Sequence, residues 1–454
     1  MHKKIGWRMR QPLIAGLVLA MLVTGCGGPQ GNAPLKDEQP EEDRSVEPKQ
    51  TSSYTAADLD PRIAEAHTAF GLALLRQLED ERVAAGEAEA DGGTGKAANE
   101  ASASPANRLI SPTSIATIFA LVANGARGAT RDQMLETLGM HQLSPEVINE
   151  GHLVLADLLE HMKGEVELKL ANSIWAREGV ALREPFAAIG RQSYGAEAVE
   201  VDFEAPETAQ RINEWVSAHT AARIDRIVSP ELIKDQQLLL INALAFEGNW
   251  SAPFDEAQTR PAPFYAADGT SVQAETMHAK GWYGYQEGEG YQAIRLPYRG
   301  SDAALHLVLP APGAELGTWV QELTLECWSE LLDGYAYRQV ELALPKFALE
   351  DEILLNEALE SLGMNEPFDA AKADFGALAE QDLYVDAVKH KTRLEVDEQG
   401  TVAAAVTSVG MAASAPPEQA PAVMRVDRPF FLALVAEEYS ELLFAGTVRR
   451  LAES

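Results

Sequence analysis

One stretch near the C-terminus has small or apolar residues at consecutive positions and predicts a strand that is buried on both faces. The segment from Glu398 to Pro429 reads EQGTVAAAVTSVGMAASAPPEQAPAVMRVDRP, and the fifteen residues after Gln399 carry no charge. From Thr401 onward both alternating sets of side chains are small or apolar, which suits a strand between two neighbours in a central sheet. Proline cannot donate to a strand ladder, so this strand should end at about Ala415, just before Pro416.

The same stretch can also be interpreted as an Ala/Ser/Pro linker between two domains. Only twenty-five residues follow Pro429, and their sequence, FFLALVAEEYSELLFAGTVRRLAES, alternates like two more buried strands. The stretch therefore interrupts a domain rather than joining two. We interpret it as a loop that can become a strand.

The other hydrophobic patterns alternate between helical and strand periods and predict an α+β domain. A helix should open at Asp60, with Pro61 at its first position, and continue to about Glu81. Ser111 and Pro112 begin the next helix, which is almost wholly apolar and therefore buried. This helix should cover 113–124. Further along, the pattern predicts a strand at 168–176, a helix at 212–227 with Trp215 turned inward, a strand at 237–250, and a strand followed by a helix at 339–364.

Composition limits the chemistry that this chain can perform. Its 454 residues are 46% hydrophobic, enough for one large core or two modest ones, and the formal net charge is −32. Such a surface repels nucleic acid, so we expect no nucleic-acid partner. Nine histidines and two cysteines lack ligand-like spacing, and no HExxH, CxxC, Walker-type or GxSxG string is present. We therefore expect no metal and no cofactor.

The N-terminus has the pattern of a processed and lipid-anchored segment. Residues 1–25, the predicted signal peptide, join a basic start to the run LIAGLVLAMLV, which is too short for a comfortable membrane span. The string Val-Thr-Gly-Cys resembles a bacterial lipobox, in which Cys26 carries the lipid. An ordinary cleaved signal with an incidental cysteine is the alternative. Cys327 is the only other thiol, so we expect it to be unpaired and buried or half-buried.

Two polar segments are expected to be disordered. Residues 26–57 have hardly an apolar side chain and should form a tether in front of a folded domain at 58–454. Residues 84–106 are rich in Ala, Gly and Glu and should form a low-complexity surface insertion in that domain.

Several motifs resemble the serpin family of protease inhibitors. EQGTVAAAVTS is similar to the hinge of an inhibitory serpin's reactive-centre loop, and RPFFLALV…LLFAGTV is similar to the family's C-terminal strand pair. The segments from Asn107 to Met140 and from Gln237 to Trp250 resemble two further family motifs. The resemblance implies a serpin fold, with a large central mixed or antiparallel sheet, surrounding helices and an exposed, insertable loop.

The resemblance also assigns structural roles to buried polar residues. Asn242 lies inside an apolar strand, so its amide must be hydrogen-bonded or cost about 1–3 kcal/mol. The family supplies a partner in His390, which by itself is most simply a satisfied strand histidine. The family's "shutter", which holds two strands of the sheet closed, is matched here by Ser111, Ser114, Asn242 and His390. Trp250, by itself a core aromatic, matches the "breach" at the top of the opening gap.

The resemblance places the reactive loop as well. The hinge residues that match the inhibitory pattern are Glu398, Gly400, Thr401, Ala403, Ala404, Ala405 and Thr407, while Val402 and Val406 depart from it without adding charge. The family's spacing from Gly400 puts the reactive bond at Ser414–Ala415. The loop before Arg425 is longer than usual, so Ala413–Ser414 and Met411–Ala412 are alternatives. A small residue before the cut favours elastase-like or subtilisin-like proteases, whereas Met411 suits a deeper apolar pocket.

The function that the resemblance implies is irreversible inhibition of serine proteases, with cysteine proteases as a further target class. The cut loop would enter the sheet and carry the acylated protease with it, driven by a native fold that persists kinetically. We expect a monomer that is not an enzyme and lies outside the cytoplasm, touching the membrane only through the lipid on Cys26, or released to the extracellular space. The alternatives are a non-inhibitory surface binding module of the same fold and an unrelated enzyme or solute-binding lipoprotein.

Overall fold

The structure is a computed structural model that describes residues 52–90, 107–401 and 420–452. Its helices are α1 (Pro61–Ala90), α2 (Pro112–Gly125), α3 (Gly128–Thr137), α4 (Pro145–Glu160), α5 (Glu184–Ser193), α6 (Glu207–His219), α7 (Pro230–Ile233), α8 (Leu316–Gln321), α9 (Leu325–Asp333) and α10 (Asn356–Ser361). Its strands are β1 (Arg108–Ile110), β2 (Val166–Arg177), β3 (Glu197–Val201), β4 (Leu238–Asn249), β5 (Arg260–Tyr265), β6 (Ser271–Gly288), β7 (Tyr291–Pro297), β8 (Ala303–Pro310), β9 (Ala336–Pro345), β10 (Phe347–Leu354), β11 (Ala387–Val396), β12 (Gly400–Thr401), β13 (Ala422–Arg425), β14 (Phe430–Ala436) and β15 (Glu441–Val448).

Two sheets organise these elements. The central sheet has the strand order β10-β11-β4-β2-β3, and the two-residue β12 pairs with β4. The larger sheet has the order β1-β15-β14-β8-β7-β6-β9-β13, and β5 pairs with β6. Strand β11 runs parallel to β4, whereas β10 pairs antiparallel with β11 and β2 antiparallel with β4. The central sheet is therefore mixed, and the α+β fold class expected from the sequence is confirmed.

Strand β4 lies in the middle of the central sheet and is covered on both faces. Leu238 and Leu240 enter the core that contains α2, while Leu239 and Ile241 enter a separate core that contains residues of α6. A strand with neighbours on both faces needs apolar side chains at consecutive positions, which explains the run LLLINALAF, where Asn242 is the one polar residue.

Helix α2 lies beneath this strand and begins as the sequence predicts. The Ser111 hydroxyl accepts the Ser114 N–H at 3.3 Å, and Pro112 occupies the first helical position, where no N–H is needed. Almost every following residue of α2 is buried, and the helix packs against β4 of one sheet and β15 of the other. The first turn of α2 thus points at the middle of the central sheet.

Two predicted helix ends differ from the structure. Helix α1 continues to Ala90, nine residues beyond the expected end at Glu81, because its Ala- and Glu-rich sequence favours helix. Helix α6 ends at His219 instead of continuing to residue 227, because the Asn213 side chain accepts the N–H groups of Ile227 and Val228 and holds that segment beside the helix.

Two further expectations need correction. The strand expected before the helix at 339–364 is two strands: β9 ends at Pro345 and belongs to the larger sheet, and β10 begins at Phe347 and belongs to the central sheet. Cys327 is exposed rather than buried, because α9 turns Trp328 and Leu331 inward instead.

Trp215 is half-buried and packs edge-on against Trp175 at 6.1 Å.

Candidate functional site

The candidate site follows the seam between β4 and β11. The two strands pair over seven residues, from Ala387 opposite Leu239 to Arg393 opposite Ala245. The next residues of β4, Phe246–Asn249, do not pair with β11. The seam is therefore closed along its lower part and open at its top.

A chain of buried polar side chains crosses the closed part of the seam. His390 of β11 lies directly opposite Asn242 of β4, and His390 Nδ1 is 2.5 Å from Asn242 Oδ1. The Ser111 N–H at the start of α2 donates to His390 Nε2 at 3.0 Å. Asn242 Nδ2 donates to the Ser114 hydroxyl. The structure thus brings together all four residues assigned to the shutter by resemblance, each of them fully buried.

Asn172 of β2 is a fifth member of this cluster that the sequence analysis missed. It lies directly opposite Asn242, and its Oδ1 accepts from Asn242 Nδ2 at 2.5 Å. The sequence pattern that identified Asn242 also applies to Asn172, since Asn172 is an amide inside an apolar strand. A polar row therefore extends across β2, β4 and β11, and it satisfies both ends of the Asn242 amide.

The hydrogen bonds of His390 require a neutral ring. Nε2 must be unprotonated to accept from Ser111, so the proton lies on Nδ1, where it is donated to Asn242. Burial lowers the pKa of His390 to about 3. Protonation would set a charged N–H against the Ser111 N–H and break the hydrogen bond that holds β11 against the start of α2 beneath the seam.

A tight turn carries the chain from β11 into the hinge. The Asp397 carboxylate accepts the N–H groups of Gln399 and Gly400 at 2.9 and 3.0 Å, and the Asp397 N–H donates to the Gly400 carbonyl at 2.9 Å. The chain reverses, and Gly400 and Thr401 pair antiparallel with Asn249 and Gly248 as β12.

Strand β12 occupies a definite place in the sheet. Strand β2 covers one edge of β4 as far as Gly248, so β12 must lie on the other edge, which β4 shares lower down with β11. The hinge thus fills the first two positions of a strand between β4 and β11.

Each hinge residue in the described part of the chain has a specific contact. A Cβ on Gly400 would lie 1.9 Å from the Gly248 carbonyl oxygen, so only glycine allows this approach. Thr401 is fully buried, and its hydroxyl lies 2.7 Å from the Tyr298 hydroxyl. Tyr298, which the sequence analysis did not identify, therefore closes the space below β12.

Glu398 is held by two neighbours. Burial opposes its ionisation, but an ion pair with Lys346 at 2.8 Å and a hydrogen bond from the Thr259 hydroxyl at 2.7 Å outweigh burial and keep the pKa of Glu398 below its ordinary value. Neither partner was identified from the sequence. The start of the hinge is thus fixed by charge as well as by backbone pairing.

Trp250 supports the hinge from the end of β4. Its indole N–H donates to the Asp397 carbonyl at 3.0 Å, its backbone N–H donates to the Gln399 carbonyl at 2.9 Å, and its ring stacks on Tyr298 with centroids 4.6 Å apart. Trp250 lies at the open top of the seam and holds the turn in place.

Several predicted residues lie outside the described part of the chain. They are the hinge residues Ala403, Ala404, Ala405 and Thr407, the candidate reactive-bond residues Met411, Ala413, Ser414 and Ala415, and the lipidation residue Cys26. Among residues 52–90, 107–401 and 420–452, no group of His, Cys, Asp and Glu side chains could hold a metal ion. Within the same residues, no helix has the length and apolarity needed to cross a membrane.

Comparisons with known proteins identify the class to which this fold and seam belong. A family model described as Serpin (serine protease inhibitor) matches residues 96–451. Antithrombin-III of Homo sapiens is 33% identical over 354 residues, covering 75% of this chain and 76% of the relative. An uncharacterized serpin-like protein of Thermococcus kodakarensis is 33% identical over 344 residues, covering 75% and 80% respectively. The chain belongs to the serpin family.

A solved structure agrees with this assignment. The native structure of the thermophilic serpin tengpin matches with a TM-score of 0.73 and 29% identity, over 87% of this chain and 95% of tengpin. The fold is therefore the serpin fold. Membership supports protease inhibition as the general function and does not by itself identify a mechanism or a target.

Proposed function

We propose that this protein is an irreversible suicide inhibitor of serine proteases that traps them by inserting its cut loop into the central sheet. The observation that carries the proposal is the position of β12. Gly400 and Thr401 already occupy a strand position between β4 and β11, antiparallel to β4. The residues that follow them along the chain are the small, uncharged ones that a late strand needs.

Strand pairing supplies a driving force for insertion. The seven parallel residue pairs between β4 and β11 would separate, and a strand entering from β12 would pair antiparallel with both neighbours. One parallel ladder would be replaced by two antiparallel ladders, which are slightly more stable per residue. Fifteen inserted residues at roughly 3.3 Å each would span about 50 Å, enough to carry a bound protease to the opposite pole.

The covalent step belongs to the protease. Its serine hydroxyl attacks the carbonyl carbon of the residue before the cut, the peptide bond to the next residue breaks, and the new amine keeps the proton that the protease's histidine delivers. An ester then joins the protease to the hinge side of the loop. Insertion pulls this ester away from the protease's catalytic groups before water can hydrolyse it.

The shutter residues would set the barrier to insertion. The contact between His390 and Asn242 crosses the seam, so an entering strand must break it. These residues hold the sheet closed while the loop is intact, which is consistent with a native fold that persists kinetically.

Sequence features support the proposed target class and location. The proposed bond Ser414–Ala415 places a small residue before the cut, which suits elastase-like and subtilisin-like proteases.

The lipobox would anchor the protein through Cys26 outside the cytoplasm, with residues 26–57 as a tether. A Cys26→Ser variant should lose lipid labelling and leave the membrane fraction, and an unchanged distribution would exclude the anchor.

The inhibitory function is tested by titrating an elastase and a subtilisin with the protein. Inhibition should approach one molecule of inhibitor per protease and persist after dilution, and denaturing the product should yield a fragment that begins at Ala415. Cleavage of the loop by both proteases with no lasting loss of their activity would refute the proposal and favour a non-inhibitory binding protein of the same fold.

A further inference from the structure

A cavity of about 600 Å³ lies on the larger sheet, on the side where β5, β6, β9 and β13 meet. None of its lining residues belongs to the shutter or to the hinge. Its lining includes apolar residues and the basic side chains of Arg260, His278, Lys280 and Arg425. A group of basic residues in one concavity is unusual for a chain with a net charge of −32.

Strand register explains why three of these side chains converge. Ala343 of β9 lies directly opposite His278 of β6 on one side and Arg425 of β13 on the other. Arg260 of β5 lies opposite Thr276, two residues before His278 on the same face of β6. The small side chain of Ala343 leaves the space between the basic groups unfilled and forms the floor of the cavity.

Two acidic residues of the cavity are already paired. Glu341 forms an ion pair with Lys280 at 2.8 Å, and Asp427 forms one with Arg428 at 2.8 Å. In the described part of the chain, the side chains of Arg260 and Arg425 have no ion pair or hydrogen bond, and the enclosed His278 Nε2 has no hydrogen-bond partner. Burial, and then the charges of Arg260 and Arg425, lower the pKa of His278, in keeping with the proximity of the three groups.

We propose that this cavity binds a small organic anion, with its carboxylate or phosphate group between Arg260 and Arg425. Paired guanidinium groups are the preferred partners of such oxyanions. Ala343, Pro345 and Val423 would contact the apolar part of the ligand. A concave site that combines apolar walls with converging basic groups fits a small organic anion better than a flat protein surface.

Binding would also stabilise the edge of the sheet. Strand β13 has four residues and, among the strands of the described residues, pairs only with β9, so few hydrogen bonds hold it. An anion that contacts Arg425 on β13 and Arg260 on β5 would tie this edge strand to the other side of the cavity. The inference does not depend on the proposed inhibitory function.

The experiment is calorimetric titration of the full-length protein with phenyl phosphate, benzoate, inorganic phosphate and the neutral benzyl alcohol. We expect saturable one-site binding of phenyl phosphate or benzoate, which identifies the preferred oxyanion, and none of benzyl alcohol. The variants Arg260→Gln and Arg425→Gln should each weaken binding about tenfold or more. Amide exchange at 422–425 should slow several-fold when the site is saturated.

The matched control is Arg191→Gln, which removes one exposed arginine from α5 and should leave binding unchanged. Ala343→Leu should abolish binding by filling the cavity floor while both arginines remain. Absence of saturable binding by all three anions, or equal binding by the control and both arginine variants, would overturn the proposal. The proposal would also be overturned if the arginine variants changed only the rate of association with a protease, because the surface would then contact a protein.

Discussion

Acid should loosen the seam between β4 and β11 before it loosens the rest of the fold. The seam is closed by His390, which must be neutral to accept from Ser111 and donate to Asn242. The pKa of His390 is about 3 in the fold and 6.5 when unperturbed. Below pH 6.5 the unfolded chain binds a proton that the folded chain excludes, so stability present above pH 6.5 is lost as the pH falls towards 3.

The size of this loss follows from the two pKa values. Each pH unit between them costs about 1.4 kcal/mol, so the loss from His390 is about 2 kcal/mol at pH 5 and roughly 5 kcal/mol at pH 3. His152, which is buried away from the seam with a pKa also lowered to about 3 by burial and by His67, contributes a similar loss. The part that belongs to the seam can therefore be isolated only with a His390 variant.

The assay is urea unfolding at pH 7.5 and pH 5.0, with hydrogen exchange measured at each pH and corrected for intrinsic rates. His390→Gln keeps a donor and an acceptor but cannot titrate. Between pH 7.5 and pH 5.0, the free energy of its first unfolding transition should therefore fall by about 2 kcal/mol less than that of the wild type. Exposed His141 supplies the control variant His141→Gln, which should behave like the wild type.

The regional result is as important as the magnitude. In the wild type, lowering the pH from 7.5 to 5.0 should raise the corrected exchange rates of amides in 238–249 and 387–396 more than those of amides in 430–448 of the larger sheet. If His390→Gln loses as much stability on acidification as the wild type, or if exchange rises equally in both sheets, the assignment of a neutral closing role to His390 is wrong.

Three further predictions concern the hinge and the polar row. Gly400→Ala would place a Cβ 1.9 Å from the Gly248 carbonyl oxygen, so β12 should detach and cleavage without trapping should increase, measured as inhibitor consumed per protease inactivated. Thr401→Arg would put an unpaired cation at a fully buried position at a cost of several kcal/mol, and should convert the protein into a substrate in the same titration, whereas Thr401→Ser should not. Asn172→Ala removes an acceptor from Asn242 and should lower stability by about 1 kcal/mol in urea unfolding at pH 7.5. Full trapping by Gly400→Ala or Thr401→Arg, or unchanged stability of Asn172→Ala, would contradict these assignments.

The sequence was sufficient to predict the elements whose local pattern is strong. The apolar run of β4, the capped start of α2 and the two C-terminal strands all appear where the pattern places them. Asn242 could be identified because an amide in an apolar strand needs a partner. Its partnership with Asn172 could not, because it depends on the register between two strands that are about seventy residues apart in sequence.

Contacts between distant segments account for the other omissions. Tyr298 reaches Thr401 from the connection between β7 and β8, and Lys346 reaches Glu398 from the connection between β9 and β10. The Pro345 break was missed because β9 and β10 follow one another with a single residue between them, and only tertiary pairing assigns them to different sheets. The basic cavity likewise requires four strands in register.

The central claim is that the cut loop traps its protease covalently, and intact-mass spectrometry under denaturing conditions tests it most directly. After reaction with an elastase or a subtilisin, we expect a species whose mass is that of the protease plus the reacting chain up to Ser414, stable to heat and detergent. Only free protease and cleaved chain, at every time and ratio tested, would contradict it.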